Sequence, residues 1–294
     1  MNDTWSRRNV LIGGAMLAGL TAVPSLLSAC STKSNEETLK KIQDQGYVTV
    51  GFASEPPYAF TAQGKLTGSA PAVHREIFKA LNVGELRGKS VEFGSLIPGL
   101  NSGRFDVVTA GMFILPKRCQ SVDFSEPEFS ADTAFLVKSG NPRGITSYDD
   151  VANSSINLGI MSGAAEEGYA RNAGVPEGRI KPVDTQQDGL DALVAGRTQA
   201  FALTSFSLRW LAKTNPDAGV EVTEPFVPTV DGKQQADYGG AVFRREDDRL
   251  REAFNGELKK LRESGKLLEL LQPFGFTERN IPPADITTKK LCDR

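Results

Sequence analysis

Apolar and polar positions follow two periods along this chain. Short apolar or alternating runs at 47–52, 90–93, 105–110, 133–137, 156–160, 180–183, 200–203 and 238–243 have the composition and length of strands. Between them lie stretches with helical spacing. Residues 71–81 place Val73, Ile77, Phe78 and Leu81 on one face, and 247–264 do the same with Leu250, Ala253, Phe254, Leu258 and Leu261. Shorter helices are predicted over 95–102, despite Pro98, and over 187–195 and 205–213. Ser34 and Glu37 have capping-box spacing and open a helix that runs to Gln45, closed by Gly46. Strands alternating with helices predict an α/β chain built on parallel sheets.

The pattern repeats once. Leu100-Asn-Ser-Gly103-Arg104-Phe-Asp106 and Leu193-Val-Ala-Gly196-Arg197-Thr-Gln199 each read as a helix end, a Gly-Arg turn and the start of a strand. Each strand then runs into a loop, at 111–118 and at 204–207. Two such units predict two lobes facing one cleft, since ligands of open α/β sheets bind beyond the carboxyl ends of the strands. A strand and long helix after the second unit return to the first lobe. The predicted hinge is therefore two crossings, near Val137 and Tyr238. The expected boundaries are a tether and first helix at 31–46, lobe 1 at 47–137 and 240–294, and lobe 2 at 138–239.

The loop after the third strand holds the most chemistry. Gly111-Met-Phe113-Ile-Leu-Pro116-Lys-Arg118 carries an aromatic and an arginine five residues apart. Pro116 suits the first turn of a helix, which would leave Arg118 near a helix start. A guanidinium there can grip a carboxylate at two points; a surface Arg beside a core Phe is the plainer reading. After the first strand, Glu55-Pro-Pro-Tyr58 is a loop stiffened by two prolines that presents Glu55 and Tyr58. His74 falls inside the 71–81 helix and is expected to be exposed or capped, not a ligand.

Composition narrows the chemistry. The 294 residues carry a net charge of -2, which offers no phosphate-neutralising surface and argues against nucleic acid. One His and three Cys without zinc spacing exclude a histidine-based catalytic or metal centre, and no cofactor or metal is expected. No nucleotide-binding GxxxxGK[ST] is present, so any energy for transport must come from a separate ATPase. Arg7-Arg8 precedes a modest apolar run that ends in Leu27-Ser28-Ala29-Cys30. This resembles a Tat-type lipoprotein signal over 1–30, with Cys30 lipidated and the protein held at the outer face of the cytoplasmic membrane. Cys119 and Cys292 remain; whether they pair or stay as thiols is open from spacing.

The strand at 47–52 with Glu55-Pro-Pro-Tyr58, the Gly103-Arg104-Phe-Asp106 run, Val122-Asp-Phe-Ser-Glu-Pro127 and Gly265-Lys266 together resemble solute-binding proteins of ABC importers of the polar amino-acid class. Phe93-Gly-Ser-Leu-Ile-Pro-Gly-Leu100 and 111–119 resemble the ectoine/hydroxyectoine-binding subgroup, as does Lys290-Leu-Cys292. The resemblance implies a two-lobed type II periplasmic-binding-protein-like fold, each lobe a mixed sheet flanked by helices. It implies a monomer that captures a small zwitterion and hands it to a membrane permease with its ATPase, without catalysis. On this reading Tyr58, Phe93 and Phe113 form an aromatic box for a delocalised cation. Arg118 takes the carboxylate and Glu55 the ring N–H groups, with Gly111 beside them. The second lobe departs from the amino-acid class. Where a Gly-Thr pair is usual, the chain has Ser162-Gly-Ala-Ala165, leaving backbone N–H groups near Ala165. Where an acid usually takes an α-amino group, it has Thr204. A polar amino-acid binder and a cyclic-acid dehydratase of related fold are the alternatives.

Overall fold

The computed structural model describes residues 31–294, so the predicted signal and Cys30 lie outside the described residues. Two five-stranded mixed sheets carry the two lobes. In the first, Tyr47–Phe52 lies between Glu85–Ser90 and Val107–Val108, parallel to both; Val242–Phe243 and Asp123–Phe124 complete it antiparallel. In the second, Leu158–Met161 lies between Ile180–Val183 and Ala200–Thr204, again parallel, and Thr133–Lys138 and Val220–Val222 are added antiparallel. The two lobes therefore share one order of directions. The Gly-Arg echo is structural as well. Gly103 and Gly196 sit at φ +72° and +73°. Each closes its helix with the same pair of bonds: Gly103 N–H to Leu100 O and Arg104 N–H to Gly99 O, Gly196 N–H to Leu193 O and Arg197 N–H to Ala192 O.

Two strands run between the lobes. Phe129–Ala131 pairs antiparallel with Asp237–Gly239. The crossing expected near Tyr238 is there, but its partner lies before Val137: Thr133–Lys138 stands inside the second sheet, paired with Ala200–Thr204. A five-residue buried run gives the strand from sequence but not which sheet receives it. The strand expected at 90–93 ends at Ser90, and Phe93 opens a single 3-10 turn, Phe93–Ser95. His74 is also corrected. It is fully buried, with Nδ1 2.8 Å from Thr109 Oγ1 and Nε2 3.0 Å from Glu128 Oε1. Glu128 in turn accepts the Ala241 N–H at 2.9 Å, which ties the imidazole to the foot of the crossing strands.

The carboxyl-terminal segment packs back on the first lobe. Cys119 and Cys292 are bonded, with 5.8 Å between their Cα atoms, and this closes a loop of 173 residues. The question left open by spacing is settled in favour of pairing. The bond joins the one-turn helix Pro116–Cys119, which carries Arg118, to the helix Thr288–Cys292.

Candidate functional site

The carboxyl ends of the parallel strands converge on one small cavity. Its first-lobe wall is Glu55, Phe93, Gly111, Phe113 and Arg118; its second-lobe wall includes Met161, Ala164, Ala165, Glu166, Leu203 and Thr204. Seven of the eight residues singled out from sequence thus meet in one place, from five different strand ends.

Arg118 is fixed by its own loop. Phe113 bridges to Gly239 and Ile114 N–H donates to Tyr238 O at 2.8 Å, so this loop is laid along a crossing strand. Arg118 Nη1 then donates back to Phe113 O at 2.8 Å. Its Nη2 reaches across the cleft to Gly163 O at 2.9 Å, and its guanidinium carbon lies 5.4 Å from the Phe93 ring centre. The helix holding Arg118 is a single turn, so the guanidinium itself, not a helix end, carries the positive charge. Burial lowers the guanidinium from its ordinary value, while the nearby Tyr169, Glu166, Asp237 and Glu55 pull it back up.

Glu55 is buried, and burial raises its carboxyl to about 7 against the pull of Ser207 and Arg118. Ser207 Oγ donates to Glu55 Oε1 at 2.7 Å, a second bond between the lobes. Thr204 starts the helix Ser205–Thr214 as its N-cap; it accepts the Ser207 N–H and its hydroxyl donates to Ser207 Oγ at 3.1 Å. The hydroxyl expected to face a solute is thus engaged in capping, and Ser207 makes the polar contact. Sequence reasoning missed Ser207, whose signal was its place in the first turn after Thr204.

Tyr58 stands apart from the cavity lining. It lies behind Gly111, where a Cβ would come within 2.4 Å of its ring. It packs against Phe129, Phe206 and Phe276 at 5.2, 6.5 and 6.0 Å. Phe206 and Phe276 stack face to face at 4.2 Å, joining the second-lobe helix to the tail of the first lobe. Tyr58 is therefore the floor beneath Gly111 and not a free wall. Its hydroxyl is buried beside Thr204.

Glu166 was not among the site residues selected from sequence. It begins the helix Glu166–Asn172, is 2% exposed, and its Oε1 is buried with no hydrogen-bond partner among the described residues. Burial, chiefly, raises it to about 8 against a bond from its own backbone N–H and the pull of Arg118, and Glu55 and Asp237 add to the rise. An acid in a first helical turn is ordinary, which hid it. Behind it Tyr169 donates its hydroxyl to Asp237 at 2.7 Å, a third link between the second lobe and the crossing strands.

Residues 48–277 match the model of the bacterial extracellular solute-binding proteins, family 3. The chain belongs to that family. This family 3 protein is 36% identical over 260 residues to the probable amino-acid ABC transporter periplasmic-binding protein y4tE of Sinorhizobium fredii, covering 87% of this chain and 86% of that one. It is 27% identical to the L-cystine-binding protein TcyJ of Escherichia coli, over 88% of this chain and 94% of that protein. Among solved structures, EhuB in complex with hydroxyectoine superimposes with a TM-score of 0.81 at 38% identity, covering 88% of this chain and 98% of EhuB. The ancestral amino-acid-binding protein AncCDT-1, a precursor of cyclohexadienyl dehydratase, gives 0.70 at 26%, covering 81% and 99%. The family 3 protein thus has the type II periplasmic-binding-protein fold and is an extracytoplasmic solute-binding component of ABC import.

Proposed function

We propose that this solute-binding protein captures ectoine or hydroxyectoine, as a lipid-anchored monomer tethered through Cys30, and delivers it to a permease and its ATPase. The observation that carries the reading is the meeting of Arg118, Glu55, Phe93 and Phe113 around one inter-lobe cavity. Arg118 would take the solute carboxylate with two parallel N–H donors, giving up its bond to Gly163. Phe93 and Phe113 would flank the delocalised ring cation, each contact contributing about 0.5–2 kcal/mol once desolvated. Glu55 accepts from the ring N–H groups. Gly111 lets the ring settle against Phe113, with Tyr58 supporting it from below. Backbone at Ala165 closes the second side, and Thr204 orients Ser207. The 0.81 superposition on a protein holding hydroxyectoine supports this cargo.

A polar amino acid is the competing cargo, favoured by the names of the curated relatives and by a second buried acid, Glu166, in the wall. Isothermal calorimetry of the protein with ectoine, hydroxyectoine, glycine betaine, arginine and cystine decides between them. Tightest binding by an ectoine supports the proposal; tightest binding by arginine or cystine replaces it. Turnover of prephenate-like acids would overturn the non-enzymatic reading.

A further inference from the structure

The helix Ser205–Thr214 starts at the hinge and runs outward along the second lobe. Ser205 N–H donates to Asp132 O at 2.8 Å, one residue past the crossing strand Phe129–Ala131. Phe206 and Trp210 stand four residues apart, so their rings share one face of that helix. Each meets a ring of the first lobe. Phe206 stacks on Phe276 at 4.2 Å, and Phe276 lies 5.6 Å from Phe129 in the crossing strand. Trp210 packs on Phe60 at 5.3 Å, with 56° between the planes. Phe60 opens the hairpin formed by Phe60–Ala62 and Lys65–Thr67, whose Leu66 lies over Gly88 of the first sheet. Phe60 and Trp210 are half-buried, and neither lines the cavity.

With the inter-lobe cavity as the solute site, as proposed above, we infer that Phe60 and Trp210 form a clasp that holds the lobes shut and sets how tightly a solute is kept without touching it. Rotation about a hinge displaces a point in proportion to its distance from the axis. The Phe206–Phe276 stack sits beside a crossing strand, so it turns in place. Trp210 is about 6 Å farther along the helix, so its contact with Phe60 is the one that parts. Parting exposes two ring faces to water and gives up a ring–ring contact worth more than its buried area alone. The clasp therefore favours the closed form, in which Arg118 meets Gly163 O and Ser207 meets Glu55. Apparent affinity is the intrinsic affinity multiplied by the fraction of molecules able to hold the solute, so such a contact tightens every solute by one factor. Arg118 and Phe113 differ in this respect, because what their loss costs depends on the groups a solute presents. Trp210 is also the one tryptophan among the described residues, which makes its emission a reporter of closure.

The test is calorimetry on wild type, Trp210→Ala, Trp210→Phe, Phe60→Ala and the double alanine variant, with ectoine, hydroxyectoine and arginine. Trp210→Ala should lose about 5-fold or more in affinity, by the same factor for every solute that binds. Phe60→Ala should do the same, and the double variant should lose less than the product of the two single losses, because both remove one shared contact. Trp210→Phe keeps a flat ring against Phe60 and should stay within about 2-fold of wild type. A solute-induced change in tryptophan emission should be present in wild type and absent from Trp210→Phe. Wild-type affinity in Trp210→Ala overturns the clasp, as does the same emission change in wild type and Trp210→Phe. A loss that differs between solutes overturns it too, by making Trp210 a solute contact. If Arg118→Ala loses affinity and Trp210→Ala does not, the clasp alone falls; if neither does, the cleft reading falls with it. If none of the three solutes binds, small-angle scattering of the solute-free protein decides: a larger radius of gyration in Trp210→Ala supports the clasp, and equal radii overturn it.

Discussion

The first-lobe wall of the cavity presents a guanidinium, two rings and a carboxyl from three strand ends, whereas the second-lobe wall presents Met161, two alanines, Leu203, a helix-capping threonine and one acid. Both walls come from sheets with the same strand directions and the same Gly-Arg turn. The difference lies in how each loop is held. The Arg118 loop is laid on a crossing strand, bonded to itself and tied to the tail by Cys119–Cys292. The 162–166 turn has no such strand beneath it: Gly163 is at φ +79°, Ala164 N–H bonds to Met161 O, Ser162 N–H to Val183 O, and Gly163 O accepts from Arg118 across the cleft. On the proposed function, the first wall would be prepared before the solute arrives and the second would close over it. Fixing the charged groups in advance lowers the cost of ordering them on binding.

Arg118→Ala should break this contrast hardest. It removes the cavity's cation and the bond to Gly163 together. Truncating one partner of a buried charge pair costs about 2–5 kcal/mol, so calorimetry should show a loss of roughly 30-fold or more in solute affinity. Binding as tight as wild type would place the carboxylate elsewhere.

The closing side is tested at the point where the walls touch. Gly163 Cα faces Gly94 so closely that a Cβ on Gly163 would fall 2.8 Å from Gly94 Cα, and one on Gly94 would fall 3.3 Å from Ser162 O. Gly94→Val leaves each lobe's interior alone and wedges the cleft. Overpacking of about 1–3 kcal/mol is expected to appear as weaker binding. Small-angle scattering should show a more open solute-free protein, and the melting temperature should hardly move. Unchanged affinity would mean that the solute-bound form does not bring these glycines together.

These expectations also mark what the sequence could and could not reveal. The Gly-Arg turns, the strand-end loops and the Arg118 and Glu55 positions were legible because they depend on residues a few positions apart. Other placements depend on partners far along the chain. Tyr58 reads as a free ring until Phe206 and Phe276, from elsewhere in the chain, are set against it. His74 reads as a surface residue until Glu128, 54 positions later, is brought to its Nε2. Thr133–Lys138 reads as a strand of the first lobe because hydrophobic period fixes a strand but not its neighbours. Glu166 and Ser207 were hidden for a different reason: acids and serines in a first helical turn are ordinary capping chemistry. Only burial on the far side of the cleft distinguishes them.

Phe113→Leu tests the prepared wall more gently. The side chain stays apolar and its neighbour Phe129, 6.3 Å away, can relax toward it. The flat face is lost and the filling of the wall largely kept. A cation held on that face should bind about 0.5–2 kcal/mol more weakly. An uncharged or primary-amine solute should respond less. An equal response for all solutes would assign Phe113 to packing alone.

The smallest effect is expected where the two walls meet through one hydroxyl. Ser207 Oγ donates to Glu55 Oε1 and holds that carboxyl, lifted to about 7 by burial, lower than burial alone would. Because the folded protein keeps this proton at pH values where the unfolded chain, near 4.5, has released it, solute-free stability falls as pH rises through that window. Glu166, lifted to about 8, acts in the same direction and extends the decline. Ser207→Ala removes the bond that favours the charged form, so the Glu55 value rises further and the decline reaches higher pH. One neutral-to-charged hydrogen bond contributes about 1.5–3 kcal/mol at most, and the freed Thr204 hydroxyl offsets part of that by turning to a new acceptor. Thermal melts from pH 5 to 9 should show the variant matching wild type at the acid end and falling below it toward the alkaline end. If the two curves stay parallel, Ser207 caps its helix and has no part in setting the charge of Glu55.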